Sequence, residues 1–448
     1  MSDTTSTRTQ VKMGRIVTAA TTATTIEWFD FAVYATAASL VLGELFFPNF
    51  SSVAGTLSSY ATLAVGFIAR PIGGIIAGHL GDKVGRKPVL VAALIVMGLA
   101  TTLIGLLPTY AAIGVWAPVL LVVLRLVQGL GVGAQWGGAT LLLTESAPAH
   151  RRGFYGSFTQ VGAILGFVLG NTAFLLVEVL VPEGAVNTWG WRLPFLTGIV
   201  LVAISAYINK RVEDTPVFKE MQQARESTTV DPASATPKRS PLGQVVRHHW
   251  KTIGLAAGAF MVVNSAYYIF AAGMLSYGTK ALGYSSGEIL AIVVLAGLTQ
   301  VITMPLAGHI SDKVGRRPIY LVGCALMALW AVPLFLLVDT GVWGLTFLGL
   351  VLGYTFHSMM YGPQAALYAE LFPAEVRYSG ASLGYQLASI FAGGLAPFIM
   401  TGLLAATGSS LSVAGYIIAM AVITFASVYA MAETSRRSLY HEKEPATV

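Results

Sequence analysis

The 448-residue chain has little charge and almost no cysteine. Charged residues make up 11% of it, against roughly 25% in a typical soluble domain, while 55% of the residues are hydrophobic. A water-soluble fold could not cover so much apolar surface, so the lipid bilayer must be the solvent for most of the chain. The single cysteine, Cys324, lies in an apolar run, which excludes a disulfide framework and a thiolate metal site.

Signals for several other protein classes are missing as well. The N-terminus has no cleavable small-residue site behind a short apolar core, so the first apolar segment is expected to be a retained membrane span. No nucleophile–base pair, metal-ligand cluster or phosphate-binding loop is present. We therefore predict that the chain is not an enzyme and binds neither a metal nor an organic cofactor.

Twelve apolar segments are each long enough to cross a hydrocarbon core of roughly 30 Å. They predict an all-α polytopic membrane protein with transmembrane spans 1 to 12 at residues 16–45, 57–79, 88–107, 114–144, 153–181, 191–210, 251–280, 286–309, 318–337, 343–370, 379–404 and 412–432. With both termini in the cytoplasm, all but four of the 27 Lys and Arg fall on the cytoplasmic side. The exceptions are Arg70, Arg125, Arg192 and Lys280. The net charge of +6 thus reports membrane topology, and nucleic acid is not expected as a partner.

An eleven-residue pattern occurs twice, half a chain apart. Residues 78–88 read GHLGDKVGRKP, and residues 308–318 read GHISDKVGRRP. An acid followed by proline three positions later and by arginine at plus seven also occurs twice, first at Glu145 and again at Glu370. Two such matches indicate an internal duplication, which in a membrane protein is typical of a transporter.

The duplication predicts a specific division of the chain. We expect two related six-helix bundles joined by a cytoplasmic linker and flanked by cytoplasmic tails. The boundaries are a tail at 1–15, the first bundle at 16–210, the linker at 211–250, the second bundle at 251–432 and a tail at 433–448.

The repeated loop resembles the signature of the major facilitator superfamily. Further motifs resemble its metabolite:proton symporter family, namely Glu27-Trp28-Phe29-Asp30-Phe31 in span 1, Gly66-Phe67 and Arg70-Pro71 in span 2, and Arg125 with Gln128 and Trp136 in span 4. The resemblance covers nearly the whole chain. It implies the major facilitator fold and a substrate among shikimate, 2-oxoglutarate, citrate, proline and betaine.

The chain departs from that family in three places. Gln135 stands where members commonly have glutamate, which either transfers proton coupling to the acids of span 1 or weakens it. No heptad-bearing extension follows span 12, which disfavours osmosensing. Residues 153–181 contain no proline, whereas antiporters of the superfamily carry a glycine-proline-glycine motif in span 5, so import is favoured over drug efflux.

Two acids lie within span 1, where an ionised carboxylate costs on the order of 3 kcal/mol. Glu27 and Asp30 share a helical face with Tyr34. Because two carboxylates on one face repel each other, at least one is expected to bind a proton readily and to serve in proton coupling. Alternatively, one acid is a fixed partner of Arg70 or Arg125.

Arg125 is the cation near the middle of span 4, with Gln128, Gln135 and Trp136 further along the same span. A buried guanidinium can bind a substrate carboxylate bidentately, or it can be a structural partner of the span 1 acids. The second half offers uncharged groups for the rest of the substrate, although packing explains each alone equally well. The predicted substrate-binding residues beyond span 4 are Tyr34, Asn264, Tyr267, Tyr268, His357, Tyr361, Gln364 and Gln386.

Charged residues at the ends of the spans predict a gate. Acids there can cap a neighbouring helix N-terminus and pair with loop arginines, with Glu145 bound to Arg151 or Arg152 and Glu370 to Arg377. The predicted gating residues are Arg70, Asp82, Arg86, Glu145, Arg152, Asp312, Arg316, Glu370 and Arg377. The resemblance implies that this network latches the outward-open state.

Together these features predict a monomeric, proton-coupled symporter of the cell membrane. It would import a small hydrophilic carboxylate, shikimate-like in size and polarity, by alternating access, with the proton as its coupling ion. A symporter of a proline- or betaine-type zwitterion and an uncoupled facilitator remain the alternatives.

Overall fold

A computed structural model gives the structure of the chain. It describes residues 13–84, 86–133, 136–182, 184–200, 202–203, 241–373 and 376–435. Most of the predicted linker and both predicted tails fall largely outside these residues.

Helices occur in all twelve predicted spans, of which span 6 is described only in part. In the first half, span 1 is Met13–Leu40, span 2 is Ser52–Val84, span 3 is Arg86–Leu106, span 4 is Trp116–Val132 followed by Trp136–Ser146, span 5 is Arg152–Leu180, and span 6 begins with Arg192–Leu196. Short helical segments at Leu42–Phe46, Tyr110–Ile113, Ala149–Arg151 and Val186–Gly190 connect them.

The second half repeats this arrangement. Span 7 is Pro241–Tyr268, Ile269–Gly273 and Met274–Lys280, span 8 is Ser286–Leu298 and Gln300–Val314, span 9 is Arg316–Val338, span 10 is Trp343–Leu371, span 11 is Arg377–Ala388, Ser389–Gly394 and Ala396–Thr407, and span 12 is Leu411–Ala430. The segments Ile269–Gly273 and Ser389–Gly394 are π-helical. Spans 7 and 11 therefore each carry a local widening of the helix, a feature often found at functional sites.

Seven helices in the described part of the chain are by themselves long and apolar enough to cross a bilayer. The remaining spans are shorter, interrupted, or rich in the buried polar residues considered below. Span boundaries mostly lie within a few residues of the predicted ones. Pro241–Tyr268 consists of two helices that meet at a kink at His249, and the predicted start of span 7 at residue 251 directly follows this kink. The shorter helix before the kink lies within the predicted linker.

Spans 1 and 5 pack closely through a row of glycines. A β-carbon at Gly162 would lie 2.6 Å from the carbonyl oxygen of Thr21, and Gly166 and Gly170 approach the same helix. The four-residue spacing of these glycines places them on one face of span 5. Across the molecule, spans 1, 2, 4 and 5 of the first half meet spans 7, 8, 10 and 11 of the second. The candidate site lies where these eight spans meet.

Candidate functional site

An acid and an arginine are joined through a glutamine inside the first half. Arg125 Nη1 donates to Gln128 Oε1, and Gln128 Nε2 donates to Asp30 Oδ2. Thr101 Oγ1 donates to Asp30 Oδ1 and accepts a 2.9 Å hydrogen bond from Gln128 Nε2. All four side chains are buried. We call these residues (Asp30, Thr101, Arg125 and Gln128) the Asp30 relay, since a change of charge at one end reaches the other through hydrogen bonds.

The two central arginines also lie over aromatic rings. The Cζ atom of Arg125 is 3.7 Å from the ring centroid of Tyr34. That of Arg70 is 3.8 Å from the ring of Phe31 and 4.5 Å from that of Phe67. Such cation–π contacts stabilise a buried guanidinium without occupying its N–H groups, which stay available for an anion.

Glu27 lies beside Arg70 and is almost completely buried. Among the described residues it has no hydrogen bond and no ion pair, although the charge of Arg70 acts on it. The carboxyl groups of Glu27 and Asp30 therefore differ in their hydrogen-bond partners. Asp30 accepts hydrogen bonds from Thr101 and Gln128, whereas the carboxyl group of Glu27 has no such partner among the described residues.

Buried polar atoms without a hydrogen-bond partner among the described residues concentrate around these groups. They include Arg70 Nε and Nη2, Arg125 Nε and Nη2, Trp28 Nε1, Asn264 Nδ2, Gln386 Oε1 and the hydroxyls of Tyr267 and Tyr268. Leaving such a group unpaired costs roughly 1–3 kcal/mol. A concentration of them is expected where a ligand or water completes the bonding, so these residues form the candidate binding site.

Aromatic side chains connect the two halves at this level. The ring of Trp28 in span 1 lies 5.9 Å from that of Tyr267 in span 7. Phe67 in span 2 lies 5.4 Å from Tyr268, and Phe167 in span 5 lies 5.2 Å from Tyr267. We call these five residues the aromatic layer. Because each contact joins the first half to the second, separating the halves must break this layer.

His357 supports the aromatic layer from within the second half. Its ring stacks on Tyr267 at 5.7 Å, with Nε2 3.1 Å from Val263 O and Nδ1 2.7 Å from Gln300 Nε2. These partners require a neutral ring that donates from Nε2 and accepts at Nδ1. Both nitrogens are thus occupied, and His357 positions Tyr267 rather than presenting a free polar atom to a substrate. Tyr361 lies against the same imidazole, and Gln364 is buried one turn further along span 10.

The two halves are locked together on the membrane face that carries the repeated loops, here called the motif face. Asp312 accepts hydrogen bonds of 2.8 and 2.9 Å from the backbone N–H groups of Gly153 and Phe154, at the start of span 5. It also pairs with Arg316 at 2.6 Å. Asp312 therefore caps a helix of the opposite half, where a negative charge is favourable.

Two ion pairs of the gate join opposite halves, unlike the predicted pairs, while Glu370 also pairs with Arg316 of its own half at 3.2 Å. Arg377 Nη1 binds Glu145 Oε1 at 2.9 Å, and Arg152 Nη1 lies 4.0 Å from Glu370 Oε1. The sequence parallel suggested pairs within each half. The acid that ends span 4 instead faces the arginine that begins span 11, because the corresponding ends of the two halves meet face to face. Both pairs must break when the motif face opens.

The segment after span 12 joins this network. Thr434 Oγ1 donates to Glu370, and Glu433 accepts from the backbone N–H groups of Arg316 and Arg317 at the start of span 9. Burial alone would raise the pKa of Glu433, but these N–H groups and that of Ser435 hold the pKa below its ordinary value. Glu433 is therefore ionised near neutral pH and caps the helix of span 9.

The opposite face is also closed, but by hydroxyl groups. Ser39 Oγ of the first half lies 3.1 Å from Ala272 O of span 7. Tyr60 Oη lies 3.2 Å from the same oxygen and 3.0 Å from Ser276 Oγ, and its single proton can bind either acceptor. Lys280 Nζ donates to Thr56 Oγ1 at 2.5 Å. Since contacts between the halves close both faces, the structure represents an occluded conformation around the aromatic layer.

The structure brings most of the predicted site together and adds residues to it. Glu27, Asp30, Arg125 and Gln128 meet in one cluster, and Arg70 joins them rather than the motif face, where the other gating residues lie. Gln135 and the side chains of Asp82, Arg86 and Trp136 lie outside what the structure describes.

Sequence reasoning missed Thr101 in span 3 and Gln300 in span 8. A lone threonine is common in an apolar helix, because its hydroxyl can bond a carbonyl oxygen of its own turn, and Thr101 Oγ1 lies 2.8 Å from Met97 O. Nothing in the sequence therefore marked Thr101 as part of a site. Gln300, uncharged but polar in an apolar span, could have been singled out on that ground alone.

Comparisons with known proteins agree with this architecture. The sequence profile of the family described as "Sugar (and other) transporter" matches residues 16–444. The inner membrane metabolite transport protein YhjE of Escherichia coli is 39% identical over 95% of both chains. The shikimate transporter of Escherichia coli is 36% identical over 92% of both. The glycine betaine/proline/ectoine/pipecolic acid transporter OusA of Dickeya dadantii is 34% identical over 96% of this chain and 85% of its own.

Solved structures show the same fold. A crystal structure of a D-xylose–proton symporter superposes with a TM-score of 0.73 at 20% identity, covering 94% of this chain and 98% of its own. The structure of the proton:xylose symporter XylE bound to a bromo-deoxy-glucose, a major facilitator superfamily protein, gives a TM-score of 0.71 at 18% identity over 93% of this chain and 94% of its own.

The fold and site define a membrane transporter built from two six-helix halves. The chain belongs to the family described as "Sugar (and other) transporter", and its fold is that of the major facilitator superfamily. The predictions of a twelve-span, all-helical major facilitator fold and of a transporter rather than an enzyme are confirmed. The protein is thus a multi-pass membrane transporter of small molecules.

Proposed function

We propose that this transporter is a proton-coupled symporter that imports a small hydrophilic monocarboxylate. In this proposal the motif face is cytoplasmic, the protein acts as a monomer in the cell's inner or plasma membrane, and the proton is its coupling ion. The name of the YhjE relative supports the location, and that of the shikimate transporter supports a hydroxylated monocarboxylate as substrate.

The Asp30 relay is the observation that carries the proposal. Arg125 has two unpaired N–H positions for a substrate carboxylate, while its Nη1 already reaches Asp30 through Gln128. In the absence of substrate, the positive charge of Arg125 favours ionised Asp30. A substrate carboxylate on Arg125 offsets that charge and favours proton binding at Asp30. Substrate and proton thus bind together, which is the requirement for symport.

Glu27 is the second proton site in this proposal. It faces Arg70 without a direct bond, so a proton there leaves no ion pair broken. With one or both acids protonated and a substrate anion bound, the buried charges of the cavity nearly cancel. A nearly neutral cavity can be enclosed by the aromatic layer at lower cost than a charged one, which permits the halves to rock between the two open states.

The aromatic layer supports a second candidate. Indole and phenol rings favour a quaternary or secondary ammonium, and Trp28, Tyr267 and Tyr268 lie together beside the arginines that would take a carboxylate. A zwitterion of the proline or betaine type fits this pair of features, and the OusA relative is named for such substrates.

Uptake by proteoliposomes tests the proposal. Purified protein is given labelled shikimate in one arm and labelled proline or glycine betaine in the other, with and without an outward-to-inward proton gradient. We expect an acidic exterior to drive accumulation of one substrate above its external concentration, and a protonophore to abolish it. Equal uptake with and without the gradient would identify an uncoupled facilitator and overturn the symport proposal.

A further inference from the structure

Four cations are exceptions to the predicted charge asymmetry of the chain, and three have a clear place in the structure. Arg70 and Arg125 belong to the central site. Arg192 donates to the carbonyl oxygens of Gly105 and Leu107 at 2.9 and 2.6 Å and so caps the end of span 3. Lys280, at the end of span 7, has no such fixed role, and its ammonium group contacts only neutral hydroxyls among the described residues.

Lys280 lies in a vestibule of about 460 Å³ that opens on the face opposite to the motif face. The vestibule lies between the halves, at the ends of spans 1, 5, 7 and 8. Val41, Phe174 and Leu290 line it although they are buried, which shows that it reaches inward from the surface. Its volume suffices for a small organic molecule, since ligand pockets generally begin at roughly 300 Å³.

The charges of this vestibule are divided between its two walls. The second half contributes Lys280, while the first half contributes Glu44 and Glu178. Glu44 is near enough to act electrostatically on Lys280, but no ion pair joins Lys280 to either acid among the described residues. The wall of the second half is therefore suited to a carboxylate, and that of the first half to hydroxyl or ammonium donors.

We propose that this vestibule is an outer binding site for the transported substrate, in which Lys280 binds the carboxylate. The proposal rests on the function proposed above, because it takes a small carboxylate as the substrate. The ligand carries one carboxylate together with hydroxyl or ammonium groups that face Glu44 and Glu178. A second carboxylate meets two acids of the same sign, so the site rejects di- and tricarboxylates before they reach Arg125.

Binding at Lys280 also bears on how the face opens. The ammonium group of Lys280 holds span 7 to span 2 through the Thr56 and Ser52 hydroxyls, at 2.5 and 3.4 Å. A carboxylate is a stronger acceptor than a neutral hydroxyl. A ligand that takes Lys280 therefore releases this contact between the halves and favours opening towards the central site.

The first test measures the concentration dependence of transport. In Lys280→Met we expect the KM for the transported monocarboxylate to rise about tenfold with the maximal rate retained, as expected for loss of one charge-assisted contact. The KM of Lys280→Arg should stay near that of the wild type. Lys251→Met, which removes an exposed lysine near the motif face, serves as the matched control. An unchanged KM in Lys280→Met overturns the proposal.

The second test measures selectivity. Wild-type uptake is challenged with citrate and 2-oxoglutarate, and the challenge is repeated in a Glu44→Gln, Glu178→Gln double variant. We expect inhibition by both competitors to become at least several-fold stronger in the double variant, while inhibition by unlabelled monocarboxylate stays unchanged. If both competitors inhibit the two proteins equally, the acids do not select and that part of the proposal is wrong.

A third measurement tests the outer binding site independently of the proposal of proton-coupled symport. Ser276 lies one turn inward from Lys280, so a Ser276→Cys reporter in a Cys324→Ser background reports opening of this face to a membrane-impermeant maleimide. Shikimate or proline should accelerate labelling when Lys280 is present and leave it unchanged in Lys280→Met. Acceleration without gradient-driven uptake would contradict the symport proposal alone, whereas no acceleration by any monocarboxylate contradicts the outer site.

Discussion

The two halves contribute different chemistry to the same central site. The first half supplies Glu27, Asp30, Arg70 and Arg125, all buried, whereas the facing surface of the second half is neutral and is formed by tyrosines, Asn264 and Gln386. Duplication gave the halves one architecture, yet their interiors have diverged. The difference suggests a division of labour, in which charge coupling resides in the first half and substrate shape is read by the second.

The largest expected effect comes from the arginine at the end of the Asp30 relay. Arg125→Met should lower kcat/KM for uptake by about 100-fold or more, because removing one partner of a buried charged network commonly costs roughly 3 kcal/mol. Arg125→Lys keeps the positive charge but loses the planar guanidinium group. Its kcat/KM should lie between those of Arg125→Met and the wild type. Arg192→Lys, remote from the site, is the matched control. Normal uptake by Arg125→Met would contradict the proposed division of labour between the halves.

A smaller effect is expected where the relay passes through an amide. Gln128→Leu removes the link between Arg125 and Asp30 and should lower gradient-driven uptake about tenfold, consistent with roughly 1–3 kcal/mol for stranded polar groups. The matched change in the second half is Gln300→Leu, which strands one nitrogen of His357. Gln300→Leu should alter KM and leave the ratio of uptake with and without a gradient unchanged. A similar loss of that ratio in both variants would contradict the division of labour.

Removal of a single hydroxyl in the second half should have a milder effect. Tyr267→Phe keeps the aromatic layer intact but removes one unpaired hydroxyl that faces the site. We expect KM to rise about threefold to tenfold, the range of one neutral hydrogen bond, with an unchanged dependence on the proton gradient. Kinetics at two external pH values would check both statements, and an altered pH dependence would assign this half a part in coupling.

The smallest effect is expected at the exposed ion pair of the motif face. Glu145 is 45% exposed, so its pair with Arg377 should contribute less than about 1 kcal/mol to thermal stability. A double-mutant cycle of Glu145→Gln and Arg377→Gln in detergent would measure the coupling. Asp312 is 3% exposed and caps span 5, so Asp312→Asn should destabilise the closed face more than either variant. If Asp312→Asn destabilised the protein less than Glu145→Gln or Arg377→Gln, the surface ion pair rather than the helix cap would hold this face closed.

The sequence predicted the architecture well, because its signals are strong and local. Twelve apolar segments and a loop repeated at residues 78–88 and 308–318 required two helical bundles in a membrane, and helices occur in all twelve spans. Helical spacing in span 1 predicted that Glu27, Asp30 and Tyr34 share a face, and the structure buries all three beside Arg70 or Arg125. Such relations depend only on helix geometry.

Contacts between residues on different helices could not be predicted from the sequence. The ion pair between Glu145 and Arg377 depends on how the two bundles pack against each other. The spacing of residues along the chain does not determine that packing. The part of Thr101 in the relay was invisible for the same reason, since its partner is 71 positions away. His357 was among the predicted substrate-binding residues, but only its contacts with Gln300 and Val263 show that its nitrogens are occupied.

The account depends most directly on proton binding by the acids of the first half. Asp30→Asn, Glu27→Gln and the double variant are compared in two assays, namely accumulation driven by an inward proton gradient and exchange of labelled for unlabelled substrate without a gradient. We predict that at least one single variant and the double variant lose accumulation but retain exchange, because a neutral amide mimics a permanently protonated acid. Accumulation at the wild-type level in the double variant would contradict the account.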